Sequence, residues 1–215
     1  MSAIASNLQA VNQAIASAAQ NSGRQSADVR LLAVSKAVPA SAIREAYHAG
    51  QRAFGESYLQ EALTKITALR DLPLEWHFIG PIQSNKTRAI AENFSWVHGV
   101  DRLKVAERLS AQRPSDLPPL NVCIQVNVSG EESKHGVTPQ ETAELAYAIA
   151  KLAHVRLRGL MAIPAPGNSP AEQRAPFARL RALQDTLNRQ GLRLDTLSMG
   201  MSQDFAAAIR EGATI

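Results

Sequence analysis

Apolar positions along the chain switch repeatedly between two periods. Short apolar runs, such as V-R-L-L-A-V-S at 29–35 and L-N-V-C-I-Q-V-N-V at 120–128, alternate with longer stretches in which apolar residues return every three or four positions. The first pattern is that of a buried strand and the second that of a helix with one face on a core. After an Ala-rich helix over 3–20, the pattern predicts strands at 29–35, 52–54, 75–79, 96–99, 120–128, 158–163 and 196–199. Helices are predicted at 39–48, 57–69, 84–92, 103–112, 139–152, 171–190 and 202–211, and an eighth strand begins at 213–215. Pro39 suits a first helical turn, and Ser202 suits an N-cap.

Strands and helices alternating at these lengths imply right-handed βαβ units on a parallel sheet. No linker or composition shift divides them, so 1–215 reads as a single domain. About eight units favour a (β/α)8 TIM-type barrel with an extra N-terminal helix over a doubly wound sheet. The closing strand is expected to be cut off at the C-terminus, because Ile215 ends the chain. No G-x-G-x-x-G follows the first strand, which weakens a dinucleotide site.

Composition removes several classes. With 45% hydrophobic and 20% charged residues, the 215-residue chain is ordinary globular material rather than disordered. No apolar stretch approaches the roughly 18 residues of a membrane span, and the N-terminus lacks the basic and apolar regions of a secretory signal. The one cysteine, Cys123, excludes an internal disulfide and a cysteine-based zinc site, which makes the cytoplasm the expected compartment. The net charge of +4 is spread without a basic, aromatic-laced face, so nucleic acid is not an expected partner. His48, His77, His98, His135 and His154 are dispersed without metal-ligand spacing. A P-loop and a G-x-S-x-G elbow are absent.

In a parallel barrel the chemistry gathers at the C-terminal ends of the strands. Lys36 directly follows the first. An amine partly removed from water in a barrel mouth favours the neutral form that condenses with an aldehyde; the alternative is a lysine that has merely reached solvent. S-M-G-M-S at 198–202 joins a strand to a helix with small and hydroxyl residues, a pattern suited to phosphate, or simply to a helix cap. Asp204 must then point away from an anion. H-F-I-G-P-I-Q-S-N-K at 77–86 places Asn85 and Lys86 at a helix start, where they either face the site or form an ordinary polar turn. The loop at 129–136 carries Lys134 and His135 and reads as solvated charge.

Four motifs in order, L-L-A-V-S-K ending at Lys36, F-G-E-S-Y-L-Q-E at 54–61, W-H-F-I-G-P-I-Q-S-N-K at 76–86 and S-M-G-M-S-Q-D-F at 198–205, resemble the pyridoxal phosphate homeostasis protein family, the YggS/PROSC group. The resemblance implies an alanine-racemase-type barrel holding pyridoxal 5'-phosphate as a Schiff base on Lys36. It places Ser198, Gly200 and Ser202 at the phosphate, and His77, Asn85 and Tyr58 around the ring or the pocket mouth. It implies a cytoplasmic monomer that binds, stores or delivers the cofactor to PLP-dependent apo-enzymes. The chain departs from the family at Ser57, where an asparagine is usual, and lacks the Arg-Ile-Gly-Thr-type segment that follows. The competing reading is an enzyme with weak racemase-type activity on amino acids, using Lys36 as base with Tyr58 or His77 as partner. A racemase needs two positioned acid–base groups, and in alanine racemases the second comes from a separate domain of the partner subunit. A non-catalytic carrier is therefore the leading expectation.

Overall fold

The computed structural model describes residues 2–130 and 135–215. Seven strands, β1 (Ala33–Val34), β2 (Ala53–Glu56), β3 (Glu75–Phe78), β4 (Trp96–Val100), β5 (Leu120–Gln125), β6 (Val155–Ala162) and β7 (Thr196–Met199), form one parallel sheet. Their spatial order equals their chain order, with every pair parallel. A doubly wound sheet reverses its strand order at a switch point; this one advances one neighbour at a time, the curved winding of a barrel. The crossovers are α2 (Ala40–His48), α3 (Leu59–Ala68), α4 (Thr87–Asn93), α5 (Leu103–Gln112), α6 (Thr142–Ile149) and α7 (Pro170–Arg189). The helix α1 (Ala3–Asn21) precedes the sheet, and α8 (Phe205–Arg210) follows β7.

Alternation along the strands separates two interiors. Trp76, Phe78, Val97, Ile124, Leu160 and Leu197 point outward into the main core, shared with helix residues such as Ile43, Ile90, Leu109 and Leu180. The intervening Trp96, Cys123 and Met161 form a second cluster with Ile215 on the inner face. A third, small cluster joins Ile15 and Ala19 of α1 to Ile209 of α8. Arg24, just beyond α1, donates through Nη1 to the carbonyls of Ile209 and Ala213, each at 2.8 Å.

Several boundaries differ from the sequence-based expectation, each for a local reason. The first ladder covers only Ala33 and Val34: ahead of it the Leu31 carbonyl accepts from the Gln51 side-chain amide (3.0 Å), and Arg30, whose N–H faces away from β2, donates to Thr214 (2.9 Å). Residues 213–215 lie between that segment and β7: Thr214 donates to Leu197 (2.9 Å), and Met199 donates to Ile215 (3.1 Å). Thus the C-terminal residues are hydrogen-bonded on both sides. Pro39 is the N-cap of α2 and not part of its first turn. Helix α8 begins at Phe205, and Ser202 does not cap it, since a turn over 201–204 is closed by Asp204 accepting from the Met201 N–H (2.5 Å). Lys134 lies outside the described residues. Among the described residues, no helix is long and apolar enough to cross a membrane.

Candidate functional site

A cleft of about 260 Å³ opens at the C-terminal ends of the strands. Its lining includes Lys36 after β1, Ile79 after β3, Met161 of β6, Ser198 of β7, and Gly200 and Asp204 of the loop that follows. Apolar side chains make most of the wall, with Val34, Ile163 and Met201 exposed at the rim. Lys36, Ser198 and Gly200 are brought together here as the sequence suggested. Tyr58 and Asn85 are exposed and outside this lining, as is Ser202. His77 is fully buried and does not reach the cleft. Asp204 lines the cleft rather than facing away from it, with one carboxylate oxygen turned back onto its own loop.

Lys36 is exposed, in contrast to the partial desolvation expected of it, and its backbone is held by a buried polar network. Ser35 donates its hydroxyl to Glu56 Oε1 (2.6 Å), and Lys65 Nζ donates to the same oxygen (2.8 Å) and to the Ser35 carbonyl (2.7 Å). The third donor of Lys65 goes to Glu61, whose Oε1 also accepts the Ala37 N–H at 2.6 Å. Ala37 sits in the left-handed region at φ 61°, a conformation that costs a non-glycine residue about 1–2 kcal/mol. The residues on either side of Lys36 are therefore tied to one floor of charge, which fixes where the lysine leaves the strand. Sequence reasoning missed Lys65: its four-residue spacing from Glu61 is that of any solvated helix pair.

The loop after β7 is held just as tightly. Gly200 has φ +93°, and a Cβ there would lie 2.6 Å from Cβ of Ala208. Only glycine allows the loop to settle on α8 in this way. Gly80, in the loop after β3, approaches the Ser57 carbonyl so closely that a Cβ would stand 2.4 Å from it. The loops after β2 and β3 thereby pack backbone to backbone beside the cleft.

Beneath the cleft a chain of hydrogen bonds crosses the inner face of the sheet. Glu75 Oε1 and His77 Nε2 are 2.9 Å apart, His77 Nδ1 and His98 Nε2 are 2.9 Å apart, and His98 Nδ1 and Ser198 Oγ are 2.7 Å apart. The His77 ring stacks on Trp96, with centroids 5.4 Å apart and planes 5° apart. Burial pushes the His77 pKa down despite the Glu75 carboxylate, and burial together with His77 pushes that of His98 well down. Burial raises the Glu75 pKa, but hydrogen bonds from His77 and Arg30 outweigh it and hold the group at about 2. The expectation of dispersed histidines is corrected here. The parallel register sets His77 beside Trp96, and His98, two residues on, faces the same side. That shared face was the available signal.

The opposite, N-terminal end of the sheet holds a larger polar hollow of about 540 Å³, lined by Arg30, Glu75, Trp96, Asn121 and Arg158. Arg30 is paired with Glu75 and Arg158 with Asp195, while Arg113 is held by the carbonyls of Ala91, Phe94 and Pro118. Arg158 Nε and Nη2 each lie 2.9 Å from an Asp195 carboxylate oxygen, and its guanidinium stands 4.7 Å over the Trp96 ring. In barrels this end serves stability and the other end serves chemistry. No group of three or more His, Cys, Asp or Glu residues placed to hold a metal exists among the described residues.

Known proteins match this architecture. The model of the alanine racemase N-terminal domain family covers residues 2–214. The pyridoxal phosphate homeostasis protein of Pseudomonas aeruginosa is 64% identical over 214 residues, with 100% of this chain and 92% of that one covered. The Escherichia coli protein of the same name is 51% identical over 218 residues, covering 100% and 93%. The solved structure of PipY from Synechococcus elongatus with PLP bound is 42% identical at a TM-score of 0.80, over 93% of this chain and 94% of that one. Alanine racemase of Corynebacterium glutamicum, 20% identical at a TM-score of 0.60, shares the fold. The chain belongs to the pyridoxal phosphate homeostasis protein family, built on the fold of the alanine racemase N-terminal domain.

Proposed function

We propose that this chain binds pyridoxal 5'-phosphate in the cleft at the C-terminal ends of the strands and acts in cofactor homeostasis as a carrier. The observation that carries this reading is Lys36, which leaves β1 into a cleft whose walls are apolar and whose far side is the Ser198–Gly200 loop. The residues present suit the group. Ile79 and Met161 offer apolar surface to a flat ring, and at Gly200 the loop presents backbone alone, while the Asp204 carboxylate in the same lining has one oxygen engaged by the Met201 N–H. The PLP-bound structure of PipY supports the same reading. When bound, the cofactor would supply an aldehyde, and Lys36 is the amine that would hold it.

A carrier is favoured over an enzyme by the surroundings of the two candidate proton partners. Both nitrogens of His77 are hydrogen-bonded inside the sheet, and Tyr58 is 62% exposed and outside the cleft lining. Neither is set to exchange a proton with a group held by Lys36. Residues 1–215 act as one binding unit, which the family match over residues 2–214 supports. The hydrogen bonds of Thr214 and Ile215 to Leu197, Met199 and Arg30 support closure of the sheet into a barrel at this point. The unit is proposed to work as a monomer in the cytoplasm.

The test is an absorption spectrum of the purified protein with added pyridoxal phosphate, followed by borohydride reduction and mass spectrometry. The expected result is a reduced adduct on the peptide carrying Lys36. An adduct confined to other lysines, or no uptake at all, overturns the assignment. Sedimentation across a range of concentrations checks the monomer.

A further inference from the structure

The hydrogen-bond chain under the cleft has a direction, and that direction decides what Ser198 can offer a ligand. It starts at Glu75, which is clamped by Arg30 through Nη1–Oε1 (2.9 Å) and Nη2–Oε2 (2.8 Å). An ionised carboxylate only accepts hydrogen bonds, so the nitrogen facing it, His77 Nε2, carries the hydrogen. A neutral imidazole has one donor and one acceptor nitrogen, so His77 Nδ1 is a lone pair and His98 Nε2 must donate to it. His98 Nδ1 is then itself a lone pair. Its partner at 2.7 Å, the hydroxyl of Ser198, must donate its single hydrogen inward. The reverse direction would set a lone pair of His77 against the Glu75 carboxylate, which the buried geometry forbids.

From this chain the geometry assigns Ser198 the role of a hydrogen-bond acceptor toward the cleft: it recognises an N–H or O–H donor on the ligand and not an anionic oxygen. Ser198 is 9% exposed and lines the cleft, so only lone pairs of its oxygen remain for whatever binds there. A phosphate dianion presents acceptors only, so Ser198 is not its donor. The phosphate is left to other groups of the loop. This revises the sequence-based placement of Ser198 at the phosphate. The assignment rests on the reading that the cleft takes pyridoxal phosphate, whose ring nitrogen and ring hydroxyl are the groups that donate when they carry a hydrogen. Glu75, His77 and His98 are positioning residues here, because they act on the ligand only through Ser198.

Two measurements test it. In protein labelled with 15N-histidine, long-range proton–nitrogen correlation reports which ring nitrogens carry hydrogen. Both His77 and His98 are expected as neutral rings protonated on Nε2; a ring protonated on Nδ1, alone or in addition, overturns the direction. The second is a comparison of ligands with and without the phosphate. Ser198→Ala is expected to weaken binding of pyridoxal phosphate and of pyridoxal by the same five- to tenfold. A loss confined to pyridoxal phosphate would make Ser198 a phosphate contact, and no loss with either ligand would remove it from recognition. Either result overturns the assignment. If the wild-type protein takes up neither ligand, the cofactor reading fails, while the ring spectra still decide the direction of the chain.

Discussion

Lys65 Nζ stands 2.8 Å from Glu56 Oε1 in a pocket where the lysine side chain is 7% exposed and the glutamate side chain 0%. The same ammonium holds the Ser35 carbonyl, one residue before Lys36, so the ion pair is the floor on which the proposed binding lysine rests. The second oxygen of Glu56 is buried without a hydrogen-bond partner. All of the charge on Glu56 is therefore balanced from the Oε1 side, by Lys65 and the Ser35 hydroxyl.

Removing one member of such a pair is costly because the other charge stays buried. Lys65→Met is expected to destabilise the protein by about 3–5 kcal/mol, read as a lower urea midpoint. Pairing it with Glu56→Leu is expected to recover much of that loss, since no uncompensated charge remains. A double variant as unstable as the single one would show that the network contributes through something other than charge balance.

Acid should weaken the fold earlier than its surface carboxylates alone would. The buried His77 and His98 resist protonation in the folded state, whereas unfolded histidines take up protons below their ordinary value of 6.5. Stability is therefore complete above pH 6.5 and falls below it, with a slope approaching ~2.7 kcal/mol per pH unit for two protons. Glu75 acts in the same sense. Its folded value of about 2 against the usual 4.5 means that its contribution is present above pH 4.5 and is lost as the pH falls toward 2. Urea midpoints at pH 8, 7, 6 and 5 check this. Equal values at 8 and 7 followed by a decline are expected, and a flat profile down to pH 5 would contradict the neutral buried histidines.

Gly200→Ala combines a positive φ with a Cβ placed 2.6 Å from Ala208 and 3.1 Å from Cα of Phe205. The backbone term alone costs about 1–3 kcal/mol, and the loop must move off α8 to relieve the contact. Both a lower thermal midpoint and weaker uptake of pyridoxal phosphate are expected. Retained binding with reduced stability would separate the loop's packing from its part in the site.

Cys123 lies fully buried in the inner cluster, and burial pushes its thiol up to about 12. The native protein is expected to react with an aromatic disulfide reagent no faster than it unfolds, and at once in denaturant. Rapid reaction in native buffer would mean that the inner face opens on its own.

Much of this molecule was legible in one dimension. The alternation of strand and helix, the parallel winding, the lysine at the end of β1 and the small-residue loop after β7 are all local patterns, because a side chain's face follows from its own period along its own element. Boundaries were less legible wherever a distant partner claimed the backbone. The Gln51 side chain takes the Leu31 carbonyl ahead of β1, and Asp204 closes a turn that delays α8. The two networks at the site were beyond reach of the sequence. His77 and His98 are 21 residues apart, His98 and Ser198 are 100 apart, and Lys65 reaches back 30 residues to Ser35. Their meeting depends on strand register and sheet curvature, which arise only when all the units pack together. The sequence determined which residue types stand at the strand ends; the tertiary structure decided which of them touch, and therefore which hydrogen each one has left to give.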